Sequence, residues 1–115
     1  MTGVREYGVL MRDRTPITYI VASQRNGTIY TGVTSDPMQR IWQHRTGALG
    51  GFTHLHGCKI LVWFEMHATM DAAIAREKQI KTWRRAWKLA LFEGDNPEWR
   101  DLAEDWGFEP LAGRE

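Results

Sequence analysis

An α+β domain, with a small three-stranded antiparallel sheet flanked by helices in the order β-β-α-β-α plus an extra C-terminal helix, is the fold the sequence predicts. Three observations predict it. Two runs rich in β-branched and aromatic residues, Ile17 to Ala22 and Thr28 to Thr34, flank the turn Arg25-Asn26-Gly27, which is the pattern of a β-hairpin. A polar segment with a helical apolar stripe follows, and then Ile60 to Met66, an apolar run of strand length. Because a helix lies in the crossover from the second run to the third, a parallel relation between those two puts the first strand at the sheet centre, antiparallel to both neighbours.

Taken in order, residues 1–15 show no sustained period and end at Thr15-Pro16, so they read as a loose arm or an extra edge strand. The domain proper is expected over residues 16–106. The hairpin strands carry Tyr19 and Tyr30. Ser35 or Asp36 suits the cap of the next helix and Pro37 its first turn, after which Met38, Ile41 and Trp42 form the apolar stripe and Arg40 and His44, four apart, share a face. The glycine-rich stretch from Gly47 to Gly57 reads as a loop. Thr69 starts a long helix through about Trp83, and Ala86 to Phe92 continues helically, with or without a kink at Arg84-Arg85. Asn96 followed by Pro97 has the form of an N-cap and first position, opening a last helix to Trp106, and residues 107–115 are expected to fray.

A chain of 115 residues with 43% apolar residues has room for one modest core. Its single cysteine, Cys58, excludes an internal disulfide and points to a reducing compartment, which we take to be the cytoplasm. The apolar run from Tyr7 to Met11 is too short for a signal-peptide core or a membrane span, so no membrane role is expected. The net charge of +1 conceals an asymmetry: residues 1–92 hold 13 Lys/Arg against 6 Asp/Glu, and residues 93–115 hold 2 against 8. A basic body suits polyanion binding through counterion release, although ordinary proteins also carry such a charge.

Either strand tyrosine alone is an ordinary sheet aromatic, and Arg40 with His44 alone is an ordinary solvated helix face. Together, two phenols, a guanidinium and an imidazole make a place where a phosphodiester could be held and attacked. Glu77 falls within the arc marked by Met70, Ala73, Ile74 and Ile80, where a part-buried carboxylate needs a cation; a metal ion, Arg40 or a structural salt bridge would serve. Glu65 and Asp71 are weaker metal candidates. Arg76, Lys78, Lys81, Arg84, Arg85 and Lys88 interleave with Trp83 and Trp87, which suits phosphate contact and base stacking, while large tryptophans are more often core. His54, His56 and Cys58 alternate, but without the paired spacing of a zinc site.

From Ile17 to Trp99 the chain resembles the GIY-YIG nuclease superfamily, in particular its small stand-alone bacterial members. The first motif falls on Ile17-Thr18-Tyr19 and the second on Tyr30-Thr31-Gly32, with Ile17 and Thr31 replacing the family's glycine and isoleucine. The run Ala75 to Lys81 resembles the acidic helix, and Asn96-Pro97-Glu98-Trp99 the terminal asparagine motif. The resemblance implies a metal-dependent endonuclease using Mg2+ or Mn2+ on DNA, with RNA not excluded, in repair or DNA-structure processing. Tyr19 and Tyr30 would stand at the reaction centre with Tyr19 favoured as base, Arg40 on the scissile phosphate, Glu77 on the metal, and His44 and Asn96 in support. Val33 stands where some relatives carry a lysine, so His44 takes over the part of activating a phenol. Two other readings remain: a non-catalytic nucleic-acid-binding module of the same fold, and an adaptor active only with a protein partner that supplies specificity.

Overall fold

The computed structural model describes residues 14–112. Residues 1–13 of the expected arm at 1–15 and the last three residues of the expected tail lie outside the described residues. Strand β1 (Ile17–Ala22) and strand β2 (Ile29–Thr34) form the hairpin, followed by helix α1 (Pro37–Thr46), short helix α2 (Gly51–His56), strand β3 (Ile60–Met66), helix α3 (Met70–Lys81), helix α4 (Arg85–Glu93) and a 3-10 turn (Leu102–Trp106). The sheet order is β2-β1-β3, with β1 antiparallel to both neighbours as the crossover rule requires.

Strand β1 is buried along its whole length because helices cover both faces of the sheet. Its odd positions, Ile17, Tyr19 and Val21, pack with Ile41 of α1, Leu61, Ala103 and Trp106. Its even positions, Ile20 and Ala22, pack with Ile60, Val62, Phe92 of α4 and Trp99. Thr18 is the polar member of that second face. Its hydroxyl donates to the Ala73 carbonyl of α3 at 2.8 Å and lies 3.1 Å from His67 Nε2, so a buried hydroxyl is fully engaged.

Several local expectations change. Residues 47–57 are not all loop: α2 forms between glycines, held by Thr53, its one buried residue, and by the Gly57 N–H donating to the His54 carbonyl. The long helix ends at Lys81 and α4 starts afresh at Arg85, because Arg84 takes an extended conformation. Asn96 opens no helix. Its amide donates to the carbonyls of Val62 and Arg100 and accepts from the Arg100 N–H, tying a turn to β3, and the 3-10 turn is capped instead by Asp101.

The acidic C-terminal segment packs on its own domain. Trp99 and Trp106 are buried, Phe108 and Leu111 rest against the two clusters, and Arg45 donates to the Glu109 carbonyl. Asp101 is the hinge pin of this arrangement. One carboxylate oxygen accepts from the Leu61 and Ala103 N–H groups, and the other accepts from Arg45 at 2.5 Å, both side chains being buried. Removing one member of a buried pair strands the other charge at a cost of about 3–5 kcal/mol. Asp101→Ala should lower the unfolding free energy by about that amount in urea titrations, whereas loss of an exposed pair such as Arg25–Glu98 should change it by less than about 1 kcal/mol.

Candidate active site

Cross-strand register decides where the first phenol goes. Tyr19 is directly opposite Gly32, and directly opposed residues of an antiparallel pair point to the same face. With no side chain at Gly32 the Tyr19 ring lies flat across β2; a Cβ there would stand 2.4 Å from the phenol oxygen and 2.5 Å from its ring carbon. Val21 is opposite Tyr30, so Tyr30 shares this face, two pairs nearer the turn.

Helix α1 brings the next groups. The Asp36 side chain accepts from the Gln39 N–H, Pro37 fixes the first turn, and Gly47 closes the helix at φ +79°, a conformation that favours glycine. Ile41 and His44, three apart, both turn inward. His44 Nε2 shares a 2.7 Å hydrogen bond with the Tyr19 hydroxyl, its ring meets Tyr19 edge-on at 5.4 Å, and Tyr30 lies 6.2 Å away. His44 Nδ1 has no partner among the described residues. Arg40, one turn earlier, brings its charge near enough to act on the Tyr19 phenol and reaches toward the Val33 carbonyl at 3.5 Å.

Helix α3 closes the site from the other side. Glu77, with its side chain only 14% exposed, is held by Lys81 at 2.7 Å, and the Lys81 ammonium also lies 5.3 Å from the Tyr30 ring centre. Glu77 is near enough for its charge to act on the Tyr19 phenol. The structure therefore brings Tyr19, Tyr30, Arg40, His44 and Glu77 to one edge of the sheet. Asn96 makes its bonds to backbone groups of β3 and its own turn, none of them to these side chains.

Burial controls the protonation of the central pair. Desolvation pushes the Tyr19 phenol up to about 12, against an opposing pull from Arg40. Desolvation, assisted by the Arg40 charge, takes His44 down to about 4. At neutral pH both groups are uncharged, so His44 orients the phenol and is too weakly basic to take its proton.

The basic residues of α3 and α4 divide into two groups. Arg76 is engaged by Glu65 at 3.0 Å and Gln79 at 2.6 Å, Lys81 by Glu77, and Arg85 by the Gly27 carbonyl at 2.6 Å. Lys78 and Arg84 are exposed and Lys88 is half-buried. The tryptophans between them are not core: Trp87 is 53% exposed under the Arg84 guanidinium, and Arg76 covers half-buried Trp83. Glu65 is taken up by Arg76 and His67, Asp71 lies exposed in the first turn of α3, and no group of three metal-ligating side chains stands together among the described residues. Sequence reasoning missed Lys81 as a bridge between Glu77 and Tyr30 and assigned Phe52 nothing. An i,i+4 Glu-Lys pair signalled the first; Phe52, 6.0 Å from Tyr30 and 4.4 Å from His56, had no signal in a glycine-rich stretch.

A sheet of this order with paired phenols, a guanidinium, an imidazole and a carboxylate at one edge defines a GIY-YIG-type domain. The family model described as the GIY-YIG catalytic domain matches residues 15–90, and the chain belongs to that family. Among curated relatives, a UPF0213 protein of Aeromonas salmonicida is 30% identical over 80 residues, 70% of this chain and 58% of the relative. A UPF0213 protein of Staphylococcus aureus strain Mu3 is 36% identical over 75 residues, 65% of this chain and 90% of the relative. The chain thus spans little more than half the length of the first of these and nearly all of the second. No solved structure matches. Among the described residues, no helix is long and apolar enough to cross a membrane.

The central pair predicts a pH signature in stability. His44 binds its proton more readily when unfolded, so its contribution is complete above about pH 6.5 and is lost as pH falls through about 4. Tyr19 contributes below its ordinary value of 10.0 and loses that contribution as pH rises through about 12. Urea unfolding should show about 2–3 kcal/mol of His44-linked loss between pH 7 and pH 4. His44→Gln should flatten that part of the profile relative to the parent.

Proposed function

We propose that the chain is a metal-dependent endonuclease that hydrolyses DNA phosphodiester bonds, acting in repair or DNA-structure processing in the cytoplasm. The observation that carries this reading is the convergence of Tyr19, Tyr30, Arg40, His44 and Glu77, drawn from four elements, at one edge of the sheet. Membership in a family defined by a catalytic domain supports it.

Glu77 fits a divalent ion of the hard, oxygen-loving kind. It is a lone, mostly buried carboxylate whose charge is balanced by the Lys81 ammonium, and Mg2+ is commonly held by one or two carboxylates together with substrate phosphate oxygens and water. Mn2+ shares that preference. A protein-caged zinc finds no donor set here among the described residues. When bound, the ion supplies positive charge against the phosphate as the leaving oxygen departs.

The protein's own groups divide the remaining work. Arg40 is part-exposed, its charge acts on the Tyr19 phenol, and it is assigned to neutralise charge growing on the phosphoryl oxygens. Tyr19 is 0% exposed, so no water reaches its oxygen; we assign it, with His44, to positioning Arg40 and the floor of the site. That moves the role of base to Tyr30, which is half-buried on the same face with the Lys81 ammonium against its ring. A water held by Tyr30 passes a proton to the Tyr30 oxygen, which releases its own proton to solvent, as the water oxygen bonds to phosphorus; the bond from phosphorus to the leaving sugar oxygen breaks, and that oxygen is protonated by solvent. Lys78, Lys81, Arg84, Arg85 and Lys88 supply phosphate contacts along the approach, Arg76 and Trp83 stacking one upon the other beside them. The Glu77–Lys81 pair favours a second reading, a nucleic-acid-binding module without turnover in which the ammonium permanently replaces the ion.

Labelled duplex, flap, branched and single-stranded substrates, incubated with magnesium, manganese or chelator, separate the two. Metal-dependent cleavage should fall by about a hundredfold or more in Glu77→Ala and in Tyr30→Phe. Salt-sensitive binding indifferent to magnesium and to Glu77→Ala supports the module instead.

A further inference from the structure

A row of rings leads from the buried pair to solvent. Tyr19 and His44 lie 5.4 Å apart, His44 and Tyr30 6.2 Å, Tyr30 and Phe52 6.0 Å, and Phe52 and His56 4.4 Å. The inner members carry polar contacts: Tyr19 with His44 and Arg40, Tyr30 with Lys81. The outer members, Phe52 and His56, are exposed. Phe52 is 48% exposed and Leu55, three residues on along the same face of α2, is 78% exposed. Thr53 alone anchors the helix inward.

From this row we infer that Phe52, with His56 beside it, is a stacking platform for one unpaired nucleobase adjoining the phosphate held at Arg40. The inference rests on the nuclease reading for the identity of the ligand as a nucleic acid, and it adds that the strand is unpaired at the scissile position. Cations sit at the inner end of the row and a solvent-exposed aromatic pair, Phe52 with His56, at its outer end, and a nucleotide has that same division between phosphate and base. Within a duplex a base face is already covered by its neighbours, so only a base released from its stack can reach Phe52. Base-on-aromatic stacking is tolerant of sequence, so Phe52 selects for structure, not for a particular base.

An abasic scan crossed with Phe52 variants tests this without needing turnover. Single-stranded oligonucleotides, each lacking one base at a successive position, are bound to the parent and to Phe52→Ala in chelator. One abasic position should weaken parent binding about tenfold or more. The same position should cost Phe52→Ala nothing further, because the partner is already gone. Phe52→Trp should restore the parent pattern, and unchanged circular dichroism shows that the variants are folded.

If no position couples to Phe52, or if the protein binds no oligonucleotide, the platform is wrong. A concentration-dependent dimer abolished by Phe52→Ala overturns it too, giving the patch to a second copy of the chain. Cleavage of intact duplex with no coupling at Phe52 refutes the platform and leaves the nuclease reading standing. Coupling without cleavage has the opposite effect.

Discussion

The site rests on one close approach, the Tyr19 ring against the bare backbone of Gly32. Because β1 and β2 pair in this register, the ring covers the neighbouring strand and its hydroxyl projects toward α1. His44 can then meet that hydroxyl at 2.7 Å only if α1 lies where its cap at Asp36, its Pro37 start and the inward Ile41 put it. From there Arg40 is fixed one turn back along the same helix. A tyrosine followed across the sheet by a glycine is thus a packing requirement before it is a chemical one, and the family's paired motifs acquire a physical reason in this chain.

Burial gives the arrangement its electrostatic character. Two groups that would titrate within a few pH units of neutrality in water are driven apart, the imidazole downward and the phenol upward, so neither carries charge in the working range. The charges of the site are left to residues at its rim: Arg40 on one side, Glu77 with Lys81 on the other. Such a division suits a reaction whose developing charge lies on a bound phosphate and not on the protein. The Lys81 ammonium approaches the Tyr30 ring from α3.

Much of this was legible in the sequence, for identifiable reasons. The hairpin showed in the turn Arg25-Asn26-Gly27, where Asn26 takes a positive φ, and β1 at the centre followed from the helix in the crossover. Arg40 and His44 were four apart and so had to share a face. Composition misled where one residue type serves two structures. Glycines concealed α2 because they bracket it, and Asn96-Pro97 has the form of a helix start although here the asparagine side chain staples a turn to β3. The acidic excess of the C-terminal segment gave no hint that Asp101 is wholly buried and paired with Arg45, and tryptophans of equal weight in the sequence parted company, Trp99 into the core and Trp87 onto the surface. Long-range register and burial decide these cases, and neither is a local property of the chain.

Titration of the His44 imidazole by NMR, in the parent and in Gly32→Ala, tests the dependence on that close approach most directly. A Cβ at position 32 must displace the Tyr19 ring, open the pocket and let water reach the imidazole. The pKa should lie at about 4 in the parent and move toward the ordinary 6.5 in the variant. A parent value near 6.5, or a variant that keeps the low value, would contradict that dependence.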